Sequence, residues 1–368
     1  MSSIYLKTLT CNEETNEVGS DEPYVLVTSV NLASSVVVAG FPVPIPSFDV
    51  FLYGPYSDVD SGDWRGTGEA GQSFWGVNGG SSTITDPNTA IFLVSVMEND
   101  DGQPQALRSI VKGAAGGSVL STLSATRDNK VAALIRDVGG ATGTPTGGPN
   151  FDDQVGPTQE LLFTADQLVA AEQGIPARQS LWTRGDGGMY TMLFEAVNDF
   201  GVYGAIRDKW EQLNFAAGPL GRPTSDEVPT FDGAGRARSF GGGFISWHPE
   251  IGAFAVWGAI GQRWAQIGRE QFGYPVTDET PTADEHGRFN TFRAMQLDGH
   301  PESSIYWSPE TGAHEVYGAI RDKWADTHWE QGPLGYPTAP EEDAPGGRQQ
   351  LFQHGTIYWS PGGGAVVR

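Results

Sequence analysis

A chain of 368 residues carrying 45 acidic and 22 basic side chains has a formal charge of −23, and a field of that sign repels phosphate, which argues against nucleic acid and anionic membranes as partners. With 50 glycines, 24 prolines and 11% aromatics it reads as a turn-rich, mainly β globular protein with short helices, long enough for two domains. Cys11 is the only cysteine, so an internal disulfide or a thiolate metal site is excluded.

The first stretch alternates apolar and polar residues at the two-residue period of strands, in Ile4-Tyr5-Leu6-Lys7-Thr8-Leu9 and Tyr24-Val25-Leu26-Val27-Thr28. Phe48-Asp49-Val50-Phe51-Leu52-Tyr53 and Ile91-Phe92-Leu93-Val94-Ser95-Val96-Met97 continue in kind. Turn clusters between them and no helical interlude predict a β-sandwich over roughly residues 1–120. Asn129 to Val138 fits a short helix or another strand, and residues 140–158 fit a long loop. Thr164-Ala165-Asp166-Gln167 fits a capping box that starts a helix, stopped near Gly174. The whole of 1–180 is read as one sandwich-like domain, with 181–201 as a connection. Met1 to Lys7 has no basic segment followed by a long apolar one, so no leader is visible, and no apolar run is long enough to span a membrane.

From Val202 onward one pattern recurs three times. Tyr203-Gly204-Ala205-Ile206 runs to Trp210, Trp257-Gly258-Ala259-Ile260 to Trp264, and Tyr317-Gly318-Ala319-Ile320 to Trp324. Leu220-Gly221-Arg222-Pro223, Phe272-Gly273-Tyr274-Pro275 and Leu334-Gly335-Tyr336-Pro337 follow, and each copy then reaches Trp-x-Pro at Trp247, Trp307 and Trp359. Such a period means supersecondary units stacked on their neighbours, here 202–255, 256–315 and 316–368. Ile206 and Trp210 share a helical face, as do Ile260 with Trp264 and Ile320 with Trp324, so each unit is expected to be a short helix, a Gly-Pro turn and short strands.

These residues resemble LGFP repeats, named for the Leu-Gly-Phe-Pro tetrapeptide. The resemblance covers the last 165 or so residues. It implies an exported protein, outside the cell or on its surface, whose repeats hold a module to cell-wall polysaccharide. Residues 1–200 resemble no family.

Signals for catalysis are weak: no Gly-x-Ser-x-Gly, no phosphate loop and no His-Glu-x-x-His occurs. The first 200 residues hold 24 of the acids against 9 bases. Asp58, Asp60, Glu98, Asp100, Asp101, Asp152 and Asp153 fall in predicted loops, where carboxylates could converge on calcium. For sugar binding the chemistry wants exposed rings flanked by planar polar groups. The candidates are Arg222, Tyr274 and Tyr336 in the tetrapeptides, and Trp247, Trp307 and Trp359 with their neighbours His248, Ser308 and Ser360. The reading is a non-catalytic, lectin-like polysaccharide binder whose repeats act together by avidity. The alternatives are an enzyme using the acidic loops on a glycan or lipid, and a structural protein that contacts other proteins.

Overall fold

Two strands of the first half are apolar on both faces, and this decides its architecture. Val25 and Val27 of β2 (Pro23–Asn31) enter one core while Tyr24, Leu26 and Val30 enter another. The computed structural model describes residues 2–16, 20–38, 40–66, 73–75, 83–84, 86–100, 102–146 and 152–368, and the chain divides into two units, Met1–Asp199 and Phe200–Arg368.

In the first unit, β1 (Ser3–Glu13) and β2 precede a small hairpin of β3 (Val36–Val38) and β4 (Phe41–Val43). After β5 (Ser47–Tyr53), β6 (Trp64–Gly66) and β7 (Ala90–Glu98) come α1 (Pro104–Ser121) and α2 (Arg127–Thr142). Two short strands, β8 (Asp153–Gln154) and β9 (Gln159–Glu160), lead to α3 (Ala165–Glu172) and the closing hairpin of β10 (Ala177–Gly185) and β11 (Gly188–Val197). One sheet has the order β10-β11-β1-β6 and the other β5-β2-β7-β8, with β9 also on β7. Ile4, Leu6, Met192 and Phe194 of the first sheet meet Val25, Val27, Phe92 and Val94 of the second in one core, with Phe74 edge-on to Phe92. That is the expected sandwich.

Its far side was not expected. Leu107, Val111, Ala115 and Val119 of α1 and Leu134 and Val138 of α2 cover Leu26, Val50, Ile91 and Leu93, so a two-helix layer lies on the second sheet. Residues 104–121 are thus helix where only sandwich was anticipated, and 129–138 resolves as helix. The connection assigned to 181–201 is not one: most of it is the β10–β11 hairpin, whose β11 is the neighbour of β1 across nine paired positions. The capping box at Thr164 is complete in both directions, with Gln167 N–H donating to its hydroxyl and its own N–H donating to Gln167. No helix among the described residues is long and apolar enough to cross a membrane.

In the second unit each repeat is a helix followed by an antiparallel meander. The first has α4 (Gly204–Gln212) with β12 (Val228–Pro229), β13 (Arg236–Ser239), β14 (Gly243–His248) and β15 (Gly252–Trp257). The second has α5 (Gly258–Gln266) with β16 (Tyr274–Pro275), β17 (Thr280–Pro281), β18 (Arg288–Arg293), β19 (Glu302–Ser308) and β20 (Gly312–Tyr317). The third has α6 (Gly318–Asp326) with β21 (Glu342–Ala344), β22 (Gly347–Phe352), β23 (Gly355–Ser360) and β24 (Gly364–Val367). The helix tryptophans Trp210, Trp264 and Trp324 are fully buried, as their spacing predicts.

Candidate functional site

The recurring motif is explained by one hydrogen bond. The indole N–H of each helix tryptophan donates to the carbonyl of the tetrapeptide glycine: Trp210 to Gly221 at 3.0 Å, Trp264 to Gly273 at 3.1 Å and Trp324 to Gly335 at 3.2 Å. A buried indole needs such a partner. Gly221 and Gly335 take φ of 65° and 67° to present it, a region other residues rarely adopt.

Cores are shared across repeat boundaries. Trp264 packs on Phe292 of its own repeat and on Phe244 of the one before, and Trp324 likewise on Phe352 and Tyr306. A buried polar residue two places after the first β-arginine staples each sheet to what precedes it. Arg238 donates to the carbonyls of Phe200 and Gly201, Asn290 to those of Ala255 and Thr277, and Gln350 to those of Glu315 and Ala339.

Tyr274 and Tyr336 belong to this joinery, which corrects their assignment as sugar platforms. They are 1% and 3% exposed, so their rings have no face left for a ligand. Tyr274 Oη bonds Asp232 and Thr230 of the preceding repeat at 2.6 and 2.7 Å, and Tyr336 Oη bonds Asp284 and Thr282 at 2.7 and 2.9 Å. In the first repeat this position is Arg222, exposed and over the ring of Phe200. His248 is buried too; its Nδ1 accepts the N–H of Glu250 and its ring meets Tyr274 edge-on. Buried Ser308 closes a turn through Thr311, and Ser360 stands half-buried at the equivalent turn.

Trp247, Trp307 and Trp359 are half-buried and recur with partners that the sequence did not single out. Each is paired across its hairpin with an arginine: Arg236 with Trp247, Arg288 with Trp307 and Arg348 with Trp359. Residues paired this way stand on one face of the sheet. Each arginine in turn has a glutamate, Glu227 at 4.0 Å, Glu279 at 3.9 Å and Glu341 in direct contact.

In the second repeat these groups line a groove of about 280 Å³. It is lined by Trp257, the first turn of α5, Glu279, Arg288 and Trp307. Burial lifts the Glu279 carboxyl above its ordinary range, and the Arg288 charge draws it part of the way back. The counterpart of Trp257 is Tyr203 in the first repeat, 70% exposed, and Tyr317 in the third. In the third, Arg348 also binds Asp343 at 2.6 Å. Indole faces, a carboxylate that only accepts and a guanidinium that only donates can together hold a ring that is apolar on its faces and hydroxylated at its rim. The Glu-x8-Arg spacing, present in the first two copies, was the available signal for these partners.

The acidic candidates of the first unit fall in two places, Asp58 and Asp60 in one turn and Glu98, Asp100, Asp152 and Asp153 around the β7–β8 pairing, where Glu98 stands opposite Asp153 and Asp100 neighbours Asp152. Asp58 and Asp60 are exposed in a turn where Arg65 donates to the Asp58 carbonyl at 2.6 Å. Glu98 is buried at the end of β7, accepting the N–H of Glu22 at 2.8 Å, and burial above all pushes its carboxyl up to about 7. Asp152 is buried and accepts from Tyr24 Oη at 2.5 Å, Asp153 is exposed on β8, and Asp100 is half-buried. Asp101 lies outside the described residues. Among the described residues no group of three or more histidine, cysteine, aspartate or glutamate side chains is placed to hold a metal ion.

An array of stacked units, each anchored by one tryptophan, defines the second half as a repeat module. A family model described as the LGFP repeat matches residues 220–271, 272–332 and 334–367. The C-terminal part of the chain is therefore an array of three LGFP repeats. The family boundaries fall at the tetrapeptide and not at the helix, so the first two matched segments each join one sheet to the next helix, the two elements that share a core across the boundary, and the third holds a sheet alone. No curated protein matches the chain.

Proposed function

We propose that the LGFP module binds uncharged cell-wall polysaccharide without catalysis and holds the N-terminal unit to it, outside the cell or at its surface. One observation carries the reading: a tryptophan, an arginine and a glutamate recur at the same register in all three repeats. Trp307 and Trp359 also pack against the cores of their repeats, so packing accounts for the buried side of these indoles and not for the arginine and glutamate beside the side left open. The part of each indole left exposed, with a guanidinium and a carboxylate beside it, is suited to stack on a sugar ring and hydrogen-bond its hydroxyls. A half-buried tryptophan with one charged pair makes a small site, so affinity per repeat is low and the array gains by avidity.

The test is retention of residues 200–368 on insoluble cell-wall polysaccharide. Retention of the fragment, weakened by Trp307→Ala, supports the reading. A fragment that stays in solution while folded overturns it.

A further inference from the structure

The first unit carries a second arrangement of the same chemistry, on a different element. Its outer sheet face holds an aromatic–hydroxyl–hydroxyl–aromatic row. Trp182 of β10 is paired with Thr191 of β11, Thr191 with Thr10 of β1, and Thr10 with Trp64 of β6. Side chains directly opposite one another share a face, and the face is the outer one: the flanking Leu9 and Met192 point into the core, whereas Trp182 and Trp64 are 62% and 64% exposed. Three inter-strand steps separate the two indoles, about 14 Å at the usual strand spacing. Ser180, Leu193 and Thr8 form the next row on the same side.

Charge narrows the choice of ligand. Lys7 and Arg178 each bind Glu195 at 2.8 Å, and Arg184 binds Glu13, so the cations here are committed to ion pairs. In a half-chain of net charge −15 (9 bases less 24 acids over residues 1–200), these paired cations make no basic patch for an anionic polymer among the described residues, and a neutral polymer is indifferent to the acidic balance. A lipid or an apolar protein surface would call for a continuous apolar patch. Here two threonines part the indoles, a pattern suited to a ligand that repeats apolar faces and hydroxyls along its length.

We propose that Trp64 and Trp182 are the two ends of a polysaccharide platform, each stacking on a sugar ring of one uncharged chain laid across the strands over Thr10 and Thr191. The protein then grips glycan with both units, independently of the grooves in the repeats.

The experiment uses the full chain, both as it stands and with Trp247, Trp307 and Trp359 changed to alanine, so that failure of the repeat sites is read separately. Depletion is measured on insoluble cell-wall polysaccharide, microcrystalline cellulose and insoluble xylan, with phosphatidylcholine vesicles as the contrasting surface. In both backgrounds Trp64→Ala with Trp182→Ala should raise the apparent Kd at least tenfold on one or more polysaccharides, with each single change intermediate. Trp64→Tyr with Trp182→Tyr should keep most of the binding, which a merely misfolded sheet would not. Retention unchanged by the double alanine variant, absence of retention on all three polysaccharides, or an effect seen only on the vesicles would overturn the proposal.

Discussion

Tyr274 Oη lies 2.6 Å from Asp232 Oδ1, across the boundary between the first and second repeats. Tyr336 and Asp284 repeat the bond one unit later at 2.7 Å. Burial works to raise each carboxyl, but the hydrogen bonds from tyrosine, threonine and backbone N–H outweigh it and hold both below the usual range. A depressed carboxyl stabilises the fold above its unfolded value near 4 and ceases to do so as pH falls through the folded value. Tyr274→Phe should therefore cost about 1–2 kcal/mol at neutral pH, and the cost should shrink in acid below about pH 4. Urea midpoints of wild type and variant at pH 7 and pH 3 check both parts.

The tyrosine plug needs a glycine opposite it. A Cβ on Gly287 would stand 2.4 Å from the carbonyl oxygen of Trp307 and 2.7 Å from the ring of Tyr336. Both neighbours are fixed, one by the sheet and one by its bonds to Thr282 and Asp284. Gly287→Ala should destabilise the module by about 2–3 kcal/mol, read as a lowered denaturation midpoint with an unchanged slope.

Glu98 makes the first unit sensitive to pH in the opposite sense. Its carboxyl is near 7 when folded and near 4.3 when unfolded, so stability is highest below the lower value and falls as pH rises through the upper. Glu98→Gln keeps the group neutral throughout. Its stability should be close to wild type near pH 4.5 and exceed it at pH 8 by about 3 kcal/mol, in paired thermal melts.

Glu279 should separate binding from folding. Its burial disfavours the ionised form, so Glu279→Gln should leave stability at pH 8 unchanged or higher. The same change weakens an acceptor for ligand hydroxyls, and the apparent Kd for polysaccharide should rise about tenfold, ~1.4 kcal/mol. Melting and depletion assays on the same preparation show whether the two move apart.

How far these features were legible depends on how local their causes are. The helix tryptophans and the tetrapeptide turn could be read directly, because Ile260 and Trp264 share a face and the glycine and proline punctuate the chain within one unit. The clasp could not. The partners of Tyr274 lie 42 and 44 residues earlier, and a tyrosine beside a turn proline looks exposed until the preceding repeat closes over it. Helix α1 went unread because Gly113, Gly116 and Gly117 interrupt it, although Leu107, Val111, Ala115 and Val119 recur every four residues. The strands it covers gave no help: Tyr24–Thr28 was read as the alternation of a half-exposed strand, whereas Tyr24 and Leu26 on one face and Val25 and Val27 on the other are all buried. Half of the groove was in view at Trp247, Trp307 and Trp359. Their arginines stayed hidden because a longer β18–β19 loop spaces Arg288 from Trp307 differently from the other two pairs.

The account rests most directly on the three half-buried tryptophans, and one equilibrium depletion series reaches them. Residues 200–368 and their Trp247→Ala, Trp307→Ala and Trp359→Ala variants, singly and combined, are titrated against insoluble cell-wall polysaccharide, with folding verified by circular dichroism. The expected result is a modest loss for each single change and a loss of at least a hundredfold for the triple variant, since avidity compounds. A folded triple variant retained as well as wild type would show that the grooves do not bind glycan and that the recurrence of tryptophan, arginine and glutamate has another cause.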